Sequence, residues 1–351
     1  MGVIRLLLAL AVVSGHSGTF FGVALIPAPL AVQAFYIISG FYISLVLGRK
    51  YSLNRSGIFH FYINRYLRLA PGYWTVLIIS IILATIVNRT IYLPWGEFLN
   101  SIRSLSGISS FWVIFTNLTM LGQDTMMFLN HQLGSDQLAW TANFQATEFP
   151  AYKLLLIPQG WSLGIELWFY ILAPFLIPRN TFFIIFLCLL TFLLRIYLAN
   201  TGFNDDPWTY RFFPSELGLF LVGISLNRFY FLFRESFSQK IGKGLFFGII
   251  LLIVLFEMGT IDPVVKNWIF LVIFAASLPL IFHWSRNIHV DRMIGELSYP
   301  VYTCHLLFSP FFGRFHFFAG PLTAICSLIF SYCIYRFIDQ PVDRFRESLR
   351  E

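Results

Sequence analysis

Apolar positions along this chain do not alternate with polar ones; they gather in long runs broken by short polar connections. A helix crosses the hydrocarbon core of a bilayer with about 20 mostly apolar residues. On that rule the pattern predicts ten spanning helices, over 5–26, 31–48, 71–88, 161–178, 181–199, 214–230, 243–259, 267–284, 297–315 and 319–338. Pro, Gly and Asn mark turns between them, as at Pro27 to Pro29, Pro178 to Asn180 and Gly320-Pro321. Two longer connections remain: 49–70, which is basic, and 89–160, which is polar and mixed with an apolar island at Phe111 to Leu121. The expected fold is an all-α polytopic integral membrane protein, one transmembrane domain over 1–351 with no fused soluble domain.

Composition narrows the class. With 57% of residues hydrophobic and 12% charged, a soluble domain is excluded. The net charge of +7 does not point to nucleic acid, because the cations are spread over short connections rather than gathered in one block. They set orientation instead: seven of the 24 Lys and Arg (Arg89, Arg103, Lys153, Arg195, Arg211, Lys266 and Arg314) fall on one side, the rest on the other. The positive-inside rule then places both termini and 49–70 in the cytoplasm, and 89–160 outside. Cys188, Cys304, Cys326 and Cys333 lie inside apolar runs without the His spacing of a metal site, and read as buried thiols. The N-terminal run has no good small-x-small cleavage site and resumes at Phe20, so it reads as a retained span, not a signal peptide.

That first run carries a histidine where a histidine is expensive. His16 follows Arg5 by eleven residues, close to three helical turns, so the two share a face about 16 Å apart. With Arg5 at the headgroups, His16 stands near the bilayer midplane, where an ionisable side chain is a functional-site hypothesis by default. The second run holds Ser39-Gly40-Phe41, a small pair that lets a helix or a ligand approach closely. Arg65 and Arg68, three apart, make a forked anion site or else anchor the basic connection to lipid phosphates. Glu166 closes Trp161-Ser162-Leu163-Gly164-Ile165-Glu166, about a turn and a half into the fourth span. It reads as half of an ion pair or as the partner that orients His16. Tyr299 and His305, in Ser298-Tyr299…Tyr302…His305, read as hydrogen bonders between helices.

In this order, the motifs resemble the membrane-bound acyltransferase-3 family. Its pattern is an Arg, ten residues and a His in the first span, then Ser-Gly-Phe, Arg-x-x-Arg, Trp-Ser-Leu-x-x-Glu and a late Ser-Tyr-x-x-Tyr-x-x-His. The departure is Leu167, where the family usually has a second acid. The resemblance implies an O-acyltransferase of the bacterial inner membrane. Such an enzyme moves an acyl group, most often acetyl, from cytoplasmic acyl-coenzyme A to a hydroxyl of an extracytoplasmic or lipid-linked carbohydrate. It implies that Arg65 and Arg68 hold the adenosine phosphates and that Arg5 holds the pyrophosphate or guides the pantetheine arm. The thioester then passes Ser39 and Gly40 to His16, which acts as general base or acyl carrier and is oriented by Glu166. No metal is implied. The connection 89–160, with Trp95, Gln123, Asn130, Gln137 and Trp140, is expected to contact the acceptor. Partners are thus acyl-coenzyme A, a carbohydrate and membrane lipid, with room for a homo-oligomer. The competing reading is a proton-coupled transporter or flippase for a polysaccharide precursor, with His16 and Glu166 relaying protons. Against it, no Gly/Pro-broken spans recur at matching places in two halves.

Overall fold

The computed structural model describes residues 1–132, 134–258 and 260–348. In chain order its helices are Gly2–Ser17 (α1), Ala28–Lys50 (α2), Arg55–Val87 (α3), Trp95–Ser104 (α4), Gly107–Thr119 (α5), Trp161–Leu176 (α6) and Thr181–Asn200 (α7). They continue with Phe213–Phe233 (α8), Gln239–Leu255 (α9), Pro263–Ser285 (α10), His289–Glu296 (α11), Ser298–Phe312 (α12), Ala319–Ile334 (α13) and Gln340–Ser348 (α14). Between α5 and α6 a small antiparallel hairpin pairs Leu129–His131 (β1) with Leu138–Trp140 (β2), Leu129 opposite Trp140.

Among the described residues six helical stretches are long and apolar enough to cross a membrane: Ala28–Lys50, Arg55–Val87, Thr181–Asn200, Phe213–Ser236, Pro263–Ser285 and His289–Glu347. The protein is an all-α integral membrane protein. Each of the ten predicted segments falls on a helix, but α1 and α6 have 16 residues each and α9 has 17. At 1.5 Å per residue these reach only about 24–26 Å.

Two segments differ from the expectation in a way that matters for function. The first predicted span, 5–26, stops at Ser17, because Gly18 (φ 96°) and Gly22 (φ 86°) take left-handed backbone that ends a helix. His16 therefore lies in the last turn of α1, at its open end, and not in the middle of a long span. The basic connection 49–70 is mostly helix. Asn54 caps α3 by accepting from the Gly57 amide at 2.8 Å, which puts Arg65 and Arg68 one turn apart on a rigid rod. That rod has 33 residues, about 50 Å, so it outreaches a hydrocarbon core of roughly 30 Å.

The centre of the bundle is α2, packed on α8, α1, α10 and α6. Its approach to α8 is backbone against backbone: a Cβ on Gly40 would stand 2.1 Å from the Phe220 carbonyl oxygen, and one on Gly223 2.3 Å from that of Ile37. Small residues at a membrane helix crossing allow this closeness. Nearby, the fully buried Glu216 of α8 accepts from Arg195 of α7 at 2.7 Å and from Gln33 of α2 at 3.3 Å. On the other side α12 packs on α1, α13 and α3. The Asp291 carboxylate of α11 accepts from the Gly2 and Val3 amides at 2.7 and 3.0 Å, capping the start of α1.

Candidate functional site

Two cavities enter the bundle from opposite ends. The first, about 730 Å³, opens where α1 begins and α2 ends, the basic face, and is lined by Arg5, Ser39, Arg65, Arg68, Glu166 and Tyr302 among others. The second, about 530 Å³, opens at the other end beneath segments 88–160 and 201–212; His16, Gln159, Trp161, Tyr210, Arg211 and Tyr302 line it. Among the described residues Val32 and Tyr302 alone border both. Along α2 the cavity-lining residues include Ala28, Val32, Tyr36, Ser39, Ile43 and Val46, spaced three or four apart. One face of one helix thus runs as a common wall from end to end.

His16 sits at the second cavity, and its partner is His305, a residue whose sequence context reads only as a hydrogen bonder between helices. His305 of α12, fully buried, brings Nε2 to 3.3 Å from His16 Nδ1, with ring centroids 5.1 Å apart. The partners assign the protons. His305 Nδ1 lies 2.7 Å from the Tyr302 carbonyl, which can only accept, so Nδ1 carries the hydrogen and Nε2 is an acceptor. His16 Nδ1, also 2.9 Å from the Val12 carbonyl, must then be the donor. That leaves His16 Nε2 as a bare lone pair, with no partner among the described residues, on an imidazole exposed to the cavity. It is the arrangement of a general base. The Ser309 hydroxyl donates to the His16 carbonyl at 3.1 Å and ties the last turn of α1 to α12.

Glu166 does not orient this ring. Its Oε1 accepts from Ser39 at 2.8 Å and Tyr170 at 2.5 Å, and it faces the first cavity. The residues expected to act together, Arg5, His16 and Glu166, are divided between two chambers. A second motif pair does meet: the Ser162 and Tyr302 hydroxyls are 2.5 Å apart, and Tyr302 donates to the Gln159 carbonyl at 2.9 Å. The signal for His305 was present. It is a second ionisable group inside an apolar span, and the reasoning that singled out His16 applies to it equally.

On the basic face the arginines separate into two kinds. Arg68 is occupied by Glu296, and its other nitrogen lies 3.4 Å from Asp343. Arg65 has a buried Nε without a partner, and the Arg5 side chain makes no hydrogen bond or ion pair among the described residues. Arg5 and Arg65 are thus two cations of the chamber whose side chains have no carboxylate partner among the described residues, ready for an anionic ligand. Gly40, expected at the ligand path, faces α8 instead, while its neighbour Ser39 lines the chamber.

The second chamber has planar polar groups against aromatic walls. Arg211 Nε is held by both Asp206 oxygens at 2.7 and 2.9 Å, and its guanidinium lies 4.3 Å from the centre of the Trp161 ring. Burial pushes the Tyr92 phenol up to about 12 and also raises Tyr210, so both stay neutral donors at ordinary pH. Of the residues expected to meet an acceptor, Gln123 is buried on Tyr73 and the Thr116 carbonyl. Tyr92, Phe144, Gln145 and Tyr152 of the same segment line the chamber in place of the expected set.

Comparison with known proteins gives the chain relatives and a family. The chain is similar to O-acetyltransferase OatA of Staphylococcus aureus strains NCTC 8325 / PS 47 and COL, 24% identical over 347 residues in each case. The match covers 89% of this chain and 52% of each relative, so the chain spans about half the length of the curated relatives it matches. No solved structure matches. The family model described as an acyltransferase domain matches residues 1–336, and the chain belongs to the acyltransferase-3 family.

Proposed function

We propose that this protein is an acyl-coenzyme A-dependent O-acyltransferase that carries an acetyl group to a hydroxyl of an extracytoplasmic or lipid-linked carbohydrate. One observation carries the reading: a chamber with arginines that lack a carboxylate partner, Arg5 and Arg65 among them, enters from one face, a chamber with a free imidazole base enters from the other, and they share a wall. The name O-acetyltransferase borne by the relatives supports acetyl as the group moved. The basic face is cytoplasmic in a bacterial inner membrane, and there Arg65 and Arg5 take the phosphates of the donor.

In the reaction His16 Nε2 removes the proton of the acceptor hydroxyl as its oxygen attacks the thioester carbonyl. The carbon–sulfur bond breaks, and the proton passes from His16 to the departing coenzyme A sulfur. His305, through His16 Nδ1, keeps the imidazole in the tautomer that leaves Nε2 bare. Trp161, Tyr210, Gln159 and Arg211 offer the acceptor sugar an aromatic face and planar hydrogen-bonding groups.

The test is purified protein with acetyl-coenzyme A and membrane glycan, followed by release of the free thiol. Release that requires both substrates is expected; protein that neither binds coenzyme A nor releases thiol defeats the reading. The arginines give a sharper expectation. Arg65→Ala weakens coenzyme A binding by about 10- to 100-fold, the worth of a charge-assisted hydrogen bond of roughly 1.5–3 kcal/mol. Arg68→Ala instead lowers the thermal midpoint, because it leaves Glu296 and Asp343 without their shared cation. Calorimetric titration with coenzyme A and a melting curve separate the two. Equal loss of binding in both variants would return Arg68 to the ligand.

A further inference from the structure

Among the described residues the two chambers share only Val32 and Tyr302, and the two differ in how freely they can move. The Tyr302 ring is held by its hydroxyl, 2.5 Å from Ser162 Oγ and 2.9 Å from the Gln159 carbonyl, so swinging it aside breaks both contacts. Val32 has no polar anchor, but its backbone cannot retreat: α2 is locked to α8 through Gly40 and Gly223, where there is no room even for a methyl group. With one side pinned and the other on a fixed helix, the Val32 side chain, itself 3% exposed, is the movable part of the wall between the chambers. One turn further toward the basic face stands Tyr36, also 3% exposed, whose hydroxyl has no partner and borders the first chamber. An acyl carbonyl arriving at the wall finds in it an unused hydrogen-bond donor.

We propose that Val32, set against the pinned Tyr302 ring, is the size filter that decides which acyl chain crosses from the donor chamber to His16. This rests on the acyl-transfer reading above. It makes donor selectivity a property of a two-residue aperture, not of the coenzyme site, whose arginines hold every coenzyme A thioester alike. A γ-branched or aromatic side chain at Val32 closes the opening, and a smaller one admits longer chains.

The experiment compares acetyl-, butyryl- and hexanoyl-coenzyme A as donors for the full-length wild type, Val32→Ala and Val32→Phe in membranes. Coenzyme A binding is measured on each purified protein as the check that it is folded. Val32→Ala is expected to raise the ratio of hexanoyl to acetyl transfer by about tenfold or more, the discrimination that a few methylenes make in an apolar site. Val32→Phe is expected to lose acetyl transfer by about a hundredfold with coenzyme A binding unchanged. An unchanged chain-length ratio in Val32→Ala, or acetyl transfer by Val32→Phe at the wild-type rate, overturns this inference alone. A wild type that transfers none of the three acyl groups overturns the function with it.

Discussion

His16→Ala removes the free imidazole from the second chamber and is expected to lower acyl transfer by about 10² to 10⁴-fold, the usual contribution of a positioned general base. Coenzyme A binding should be unaltered, since His16 borders only the chamber that does not hold Arg5 and Arg65. Measured with equal amounts of folded protein, a residual rate above about a tenth of wild type would end the catalytic assignment. His305 separates positioning from chemistry. His305→Ala frees His16 Nδ1 from its neighbour, and a tilted ring costs about 10- to 100-fold. His305→Gln can present a carbonyl oxygen to the same Nδ1–H and is expected to recover most of that loss. If the Gln variant is as poor as the Ala variant, His305 is more than an acceptor for that hydrogen.

Gly40→Ala is expected to be strongly damaging to folding, because it forces a methyl into the crossing of α2 and α8. The new Cβ would lie 2.1 Å from the Phe220 carbonyl oxygen and 2.8 Å from its carbon, which are backbone atoms of a buried helix and cannot turn away. The two central helices have to separate, and the cost lies at or beyond the top of the ~1–3 kcal/mol typical of overpacking. Gly48, two turns on in the same helix, has nothing within 4 Å of its own added Cβ. Gly48→Ala is therefore the matched control, expected to melt with the wild type or slightly above it, because Ala favours helix. Thermal midpoints of the two variants in one detergent decide the matter. Equal midpoints would mean that α2 and α8 are not locked at Gly40, and the fixed aperture at Val32 would lose its support.

Much of the local picture could be read from the residues alone. Runs of apolar side chains determined the membrane class and the order of helices, since burial of twenty-residue segments in lipid is a property of each segment by itself. Helical spacing correctly set Arg5 and His16 on one rod, and Arg65 with Arg68 on another. The ends of those rods were harder to read. Gly18 and Gly22 stop α1 although the residues beyond remain apolar, and Asn54 starts α3 within a basic stretch that composition alone marks as loop.

What the sequence could not determine is which distant side chains become neighbours. His16 meets His305 across 289 positions, Arg68 meets Glu296 across 228, and Ser39 meets Glu166 across 127. Within a helix, periodicity fixes which residues share a face; between helices, only packing decides which faces touch. The close approach of α2 to α8 turned Gly40 into the helix crossing, and the carboxylates of α11 and α14 paired Arg68. The same packing set Glu166 and His16 on opposite sides of the wall formed by Val32 and Tyr302, because the faces of α6 and α1 that carry them open to different ends of the bundle.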